Sequence, residues 1–186
     1  GKMFSIEHYG IVPDGITLGK SLGSGLVGSA FLARSEIIDE IGVPGQVFTL
    51  MGNALTSAAG IAAFNIYYSN EFQDILEKNI KLFQKLGKEL KENQPEMITK
   101  VRSIGMSMGI EINDKNDINS TYKIIFRCYE KGLILVSIAG NVLRVQPPLN
   151  IETDILEKGF NIINEAINDY KNGKISDEVL KYKQTW

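Results

Sequence analysis

The sequence holds one cysteine, one histidine and one tryptophan among 186 residues, with only five prolines. A single cysteine, Cys128, excludes an internal disulfide and any multi-cysteine metal site. With His8 the lone imidazole, a zinc site would have to rest on carboxylates, and no metal is expected. Neither sign of charge dominates: 20 Lys and Arg against 22 Asp and Glu leave −2, no footprint for nucleic acid or an anionic membrane. No apolar run approaches the roughly 20 residues of a membrane-spanning helix. The first residues lack the basic-then-apolar plan of a secretory signal, so a cytoplasmic protein is expected. The opening "GKMFSIEHYG" has no initiator methionine and reads like the middle of a domain.

What is present is an ordinary globular mixture, 44% hydrophobic and 23% charged. "DGITLGKS" reads as a short strand over 16–19 that ends at Lys20, and "GLVGSAFLARS" as a second strand whose small residues allow close backbone approach. Ser35 reads as the N-cap of a short helix, "EIIDEI", stopped by Gly42, Val43 and Pro44. In "NALTSAAGIAAFNIYYSN" Leu55, Ala58, Ala59, Ala62, Ala63, Ile66 and Tyr67 recur at helical spacing, and so Ala-rich a helix is expected to pack closely on a sheet or another helix. "EFQDILEKNIKLFQKLGKELKEN" carries a stripe of Phe72, Ile75, Leu76, Ile80, Phe83 and Leu86 against a charged, solvated face.

After Pro95 the character changes. "ITKVRSIGMSMGIEIN" alternates like one strand with glycines at bulge-like points, and "INSTYKIIFRCYEKG" reads as a helix ending at Gly132. "LILVSIAGNVLRVQPPL" reads as a hairpin turning at Ala139, Gly140 and Asn141, and "ETDILEKGFNIINEAINDYKNG" as a helix closed by Gly173. A boundary is placed near residue 95. His8 has no partner motif, Cys128 sits beside Ile124 and Ile125 and reads as packing, and Trp186 lies at the extreme end.

Three residues invite chemistry. Lys20 closes an apolar run and opens onto Ser21, Gly23, Ser24, Gly25 and Gly28. A lysine reacts covalently only as the neutral amine, and small neighbours leave room for a planar group at a strand end. Thr49 lies among glycines just ahead of a helix start, a place where a hydroxyl and backbone N–H groups suit a phosphate. Arg144, between Leu143 and Val145, offers a fork that grips a carboxylate bidentately. By type and spacing alone each also fits a plainer role: a surface lysine, a turn beside an N-capping Asn53, and a solvent-facing strand residue.

Taken in order, the stretches resemble the C-terminal half of class III pyridoxal-phosphate aminotransferases, the group of the 4-aminobutyrate and ornithine/acetylornithine enzymes. "GKMFSIEHYGIVPDGITLGKSLGSG" is similar to the family's "GKMFA.EH" and "PD…T.AKSLGGG". "FTLMGNAL" is similar to its Thr–Phe–x–Gly–Asn–Pro turn, and "VRSIGMSMGIEI" and "GNVLRVQPPLNI" to "VRG.GLM.GIE" and "NVIR..PPL.I". The resemblance implies that Lys20 is the Schiff-base lysine and proton carrier, and that Thr49 binds the pyridoxal 5'-phosphate phosphate, usually that of the neighbouring subunit. It implies that Arg144 binds the substrate carboxylate. The chain departs where "GSGLVGSA" stands for "GGG.PLSA", without the proline, and where Ala54 stands for the proline after Gly–Asn. The family's Gly-Thr/Ser phosphate loop, ring-stacking aromatic and pyridine-pairing aspartate would all precede Gly1.

The expected fold is therefore α/β, the distal part of a fold-type-I transferase large domain over 1–95, a small α+β C-terminal domain over 96–175 and a tail over 176–186. The implied reaction is transfer between a 4-aminobutyrate-like or other amino donor and a 2-oxo acid, and the resemblance implies a homodimeric enzyme of which this chain is part. Two alternatives stand beside it: an amino-acid racemase or epimerase of the same family, and a non-catalytic dimerisation module.

Overall fold

The computed structural model describes residues 1–42, 45 and 47–183. Val43, Pro44 and Trp186, named above, lie outside the described residues. The chain divides into two compact units, Lys2–Asp74 and a second from Ile75 onward that includes Gly1.

In the first unit, β1 (Gly15–Leu18) and β2 (Ala30–Ala33) form an antiparallel ribbon with Gly15 opposite Ala33 and Leu18 opposite Ala30. Lys20–Gly23, a 3-10 turn, follows β1 at once. Helix α1 is Ser35–Ile41, and its N-cap is Arg34, extended at φ −62 and ψ 149. Ser35 is thus already helical rather than the cap, and no side chain caps this helix end. Helix α2 (Ala54–Tyr67) begins as expected, with Asn53 Oδ1 accepting from the Thr56 N–H at 3.0 Å. The close packing expected of its Ala-rich face is not what this unit supplies. Only Gly60 and Ala63 are buried, while Leu55, Ile61 and Ile66 are 69%, 64% and 56% exposed. The contacting face joins Thr56 and Gly60 to Ala63 and Tyr67 of the expected set, each about one helical turn from the next.

The second unit is built on a four-stranded antiparallel sheet of order β3-β4-β6-β5, from β3 (Ile98–Ile104), β4 (Ser107–Ile112), β5 (Val136–Ile138) and β6 (Val142–Val145). The segment read as one strand is a hairpin. Gly105, at φ +54, and Met106 make a two-residue turn, and the bulge falls at Thr99 rather than at a glycine. The second hairpin turns at 139–141 as expected, with Ile138 paired to Val142. Alternation works as it should on β4: Met108, Ile110 and Ile112 point to the core and the residues between them do not.

Helices α3 (Asn70–Asn93), α4 (Ser120–Glu130) and α5 (Thr153–Lys171) supply the rest of that core. Phe83 meets Phe160 edge-on at 5.7 Å. Gly87 lies so close to Met108 that a Cβ there would stand 2.4 Å from its terminal methyl. On α3 the buried positions are Leu76, Asn79, Phe83, Gly87 and Leu90, so the stripe is partly polar. Asn79 Nδ2 donates to the carbonyls of Leu149 (3.0 Å) and Ile151 (2.9 Å), and Gln94 Nε2 to Asn164 and Asn168 on α5. Cys128 is fully buried, and burial pushes its thiol up to about 12.

A charged knot fastens the final 3-10 turn, Asp177–Tyr182, to α4. Lys123 Nζ reaches Asp177 at 2.7 Å and Asp117 at 2.9 Å. Burial would raise the Asp117 carboxyl, but hydrogen bonds from Lys123, the Asn119 N–H and Tyr170 OH outweigh it and hold the group below the usual carboxylate range. No helix of the described residues is long and apolar enough to cross a membrane.

Candidate active site

β1 delivers the chain to Lys20, whose φ of 52 is left-handed, a conformation that costs a non-glycine residue about 1–2 kcal/mol. Beyond it the backbone folds in successive tight turns: Leu22 N–H to the Gly19 carbonyl (3.1 Å), Ser24 N–H to Ser21 (3.2 Å) and Leu26 N–H to Gly23 (3.0 Å). Lys20 itself is exposed, and its Nζ has no ion pair or hydrogen bond among the described residues. Residue size explains the loop's compactness. A Cβ on Gly23 would sit 3.4 Å from the Gly28 nitrogen, and one on Gly28 would sit 2.5 Å from the Thr56 methyl.

Thr49 lies in the turn closed by the Met51 N–H on the Phe48 carbonyl at 2.9 Å. Gly52, at φ +69, then redirects the chain to the Asn53 cap and into α2. An exposed hydroxyl thus stands just ahead of a 14-residue helix, whose first N–H groups favour anions. Lys20 and Thr49 belong to the same compact unit, and α2 both follows the Thr49 turn and supports the Lys20 loop.

Arg144 belongs to the other unit. Its β6 neighbours Leu143 and Val145 are buried, so it points from the opposite face of the sheet. The register sets Arg102, Gly109, Arg144 and Val136 in one row across the four strands. Gly109 places no side chain beside Arg144, and an open apolar recess of about 470 Å³ is lined by Leu135, Val136, Pro147, Pro148 and Ile151 together with Arg144. Three of the four arginines are committed: Arg34 to Asp14, Arg102 to Glu111, and Arg127 to Glu130 and Asp169. Arg144 has no carboxylate among the described residues. A guanidinium left unpaired beside an apolar recess suits a carboxylate ligand with an apolar body.

Sequence reasoning missed Thr56 and Gly60, and put Tyr67 on the packing face without its partner; these three hold the Lys20 loop. Thr56 Oγ1 donates to the Val27 carbonyl at 3.2 Å, the Tyr67 and Ser24 hydroxyls are 3.4 Å apart, and a Cβ on Gly60 would lie 3.2 Å from the Leu22 carbonyl oxygen. Their signal in the sequence is a set of non-alanine residues at helical spacing within an alanine-rich run.

Solved structures place the fold in a class. The acetylornithine aminotransferase of Elizabethkingia anophelis matches with a TM-score of 0.78 and 33% identity over 90% of this chain and 42% of that one. The fold is that of the pyridoxal-phosphate-dependent aminotransferases. The family model described as "Aminotransferase class-III" matches residues 1–167, and the chain belongs to that family.

Among its relatives, the leucine/methionine racemase of Thermococcus litoralis is 40% identical over all of this chain and 43% of its own length. The acetylornithine aminotransferase of Caldanaerobacter subterraneus is 32% identical over 92% of this chain and 42% of its own length. Racemases or epimerases and aminotransferases both occur among the relatives. The chain spans about two fifths of the length of the curated relatives it matches.

Proposed function

We propose that the whole protein is a pyridoxal-phosphate enzyme acting at the α-carbon of an amino acid, and that it racemises or epimerises a substrate with an apolar side chain. The observation that carries the reading is the 40% identity to a leucine/methionine racemase across the full chain, above the 32% to an acetylornithine aminotransferase. The residues present fit the cofactor. Lys20 is exposed at the start of a loop of small residues, a hydroxyl precedes a helix start at Thr49, and Arg144 has no carboxylate partner among the described residues and lies beside apolar surface.

When bound, pyridoxal phosphate supplies the electron sink that makes a Cα proton removable. In this reading Lys20 would hold the cofactor covalently, would be freed as the amine when the substrate's amino group takes its place, and would then carry the proton from Cα. Delivery of a proton to the opposite face of Cα would invert the centre, and repeated turnover would racemise the substrate. Thr49 Oγ1 binds the phosphate together with N–H groups near the start of α2. Arg144 orients the substrate by its carboxylate, and the apolar residues around it favour an aliphatic side chain.

Transamination is the second reading, favoured by the family model and by the aminotransferase relatives. There Lys20 would move the same proton on to the cofactor, at C4′, rather than back to Cα. A homodimer is part of either reading, supported by the apolar surface that α2 and the Thr49 turn leave exposed, Phe48, Leu50 and Leu55 among it. The deciding experiment incubates the full-length protein with L-leucine, L-methionine or L-alanine in deuterated buffer, with and without a 2-oxo acid. Deuterium at Cα with appearance of the D-isomer and no released oxo acid supports racemisation. Stoichiometric oxo acid that requires the acceptor supports transfer and overturns the first reading.

A further inference from the structure

The loop that carries Lys20 departs from the family pattern at Val27 and Gly28, and both departures meet one side chain of α2. Thr56 Oγ1 donates to the Val27 carbonyl at 3.2 Å, and its methyl occupies the space a side chain at position 28 would need. We propose that Thr56 is a positioning residue for Lys20, acting through the loop 19–28. The proposal rests on the reading of Lys20 as the cofactor lysine.

A proline restrains a loop by fixing its own φ. Val27 has no such restraint, and it is the Thr56 hydroxyl that ties its carbonyl to a helix. The tie is stiff at both ends. On the helix side, Thr56 is fixed by the Asn53 cap on its own N–H. On the loop side, Gly28 lies against Gly23, which closes the 3-10 turn that starts at Lys20. A shift at Val27 and Gly28 therefore passes through Gly23 to the left-handed backbone of Lys20. Four helix residues further on, Gly60 lets the Leu22 carbonyl approach to where a Cβ would be 3.2 Å away, so the near end of the loop is gauged by the same helix. Strain of the kind stored at Lys20 persists only where the surroundings over-determine it, and these contacts are what determine it here.

Gly28 itself has a φ outside the left-handed region, so its lack of a side chain serves space rather than backbone freedom. That separates two variants cleanly. Thr56→Val keeps the shape and removes the hydrogen bond, whereas Gly28→Ala keeps the hydrogen-bonding group and drives a methyl into the Thr56 methyl. Thr56→Ser keeps the donor and removes that methyl, so it makes room for Gly28→Ala.

The test uses the full-length protein, stripped of cofactor and mixed with pyridoxal phosphate. It follows the rate of appearance of the visible absorbance band and the cofactor dissociation constant, with borohydride reduction and peptide mapping to locate the adduct. Thermal midpoints of the cofactor-free variants are measured alongside. Thr56→Val is expected to slow band formation at Lys20 about fivefold, the worth of one hydrogen bond, with little change in midpoint. Thr56→Ser restores the rate. Gly28→Ala is slower still, and Gly28→Ala with Thr56→Ser recovers most of the loss. Thr56→Val equal to wild type, losses that only track the midpoint, or a double variant no better than Gly28→Ala would each overturn the proposal. Absence of any adduct on Lys20 in the wild-type protein would instead overturn the cofactor reading, and this proposal with it.

Discussion

The two units differ in how much of themselves they bury. From Ile75 onward, Phe83, Ile110, Ile112, Ile124, Leu143 and Ile167 are completely enclosed, whereas among the described residues of Lys2–Asp74 only Gly23, Gly60 and Ala63 are buried. The second unit has a hydrophobic core of its own. The first is a two-stranded ribbon, tight turns and an alanine-rich helix, held by backbone turns and a few side-chain contacts, and a two-stranded ribbon alone is marginal in water. The proposed roles divide along the same line. Arg144 stands on a strand whose alternate residues are locked into a core. Lys20 and Thr49 stand on segments held, among the described residues, by local turns and a few contacts to α2.

The sharpest way to break this contrast is at Arg144. In the full-length protein Arg144→Ala is expected to raise KM about ten- to a hundredfold, the loss of a charge-assisted hydrogen-bonded pair, without lowering the thermal midpoint. A fall in stability instead would mean that Arg144 serves the fold. Next comes Asn79→Ala, which strands two carbonyls inside the second unit and is expected to destabilise it by about 2–3 kcal/mol. Denaturant unfolding checks this, and a change under 0.5 kcal/mol would show that water reaches those carbonyls.

Asp117 tests the same unit by pH. Its carboxyl is depressed in the folded state, so its contribution is present above the unfolded value of about 3.9 and is lost as the pH falls through the lower folded value. The midpoint gap between wild type and Asp117→Asn should therefore close on acidification below about pH 4, and a constant gap would contradict the shift. The smallest effect is expected on the exposed side of α2. Ile61→Ser should change the stability of this chain by no more than about 0.5 kcal/mol, yet weaken self-association of the full-length protein in sedimentation. A large loss of stability in this chain would show that α2 packs more deeply than its exposure indicates.

Periodic features were legible because they answer to geometry within one element. The helices α4 and α5, the Asn53 cap and the turn at 139–141 follow from spacing and from a few conformationally special residues. The β3–β4 hairpin was not, because the apolar alternation runs on through Gly105 and Met106 and nothing nearby reads as a turn except one glycine. Asn79 was passed over since an asparagine within a helix gains its meaning from carbonyls 70 and 72 residues away. The family motifs brought Lys20, Thr49 and Arg144 forward as candidates. Thr56 stayed hidden because its partners lie 29 residues back, on a loop whose departure from the pattern was visible while its support was not.

The enclosed Cys128 gives the second unit a clock of its own. As the sequence's single thiol, fully buried and with its ionisation pushed up to about 12, it meets a thiol reagent only in molecules that have opened. At high reagent concentration the labelling rate reads how often the core around α4 comes apart, with no mutation or dye introduced. Any ligand that tightens that unit should slow the clock, whichever reaction the whole enzyme performs.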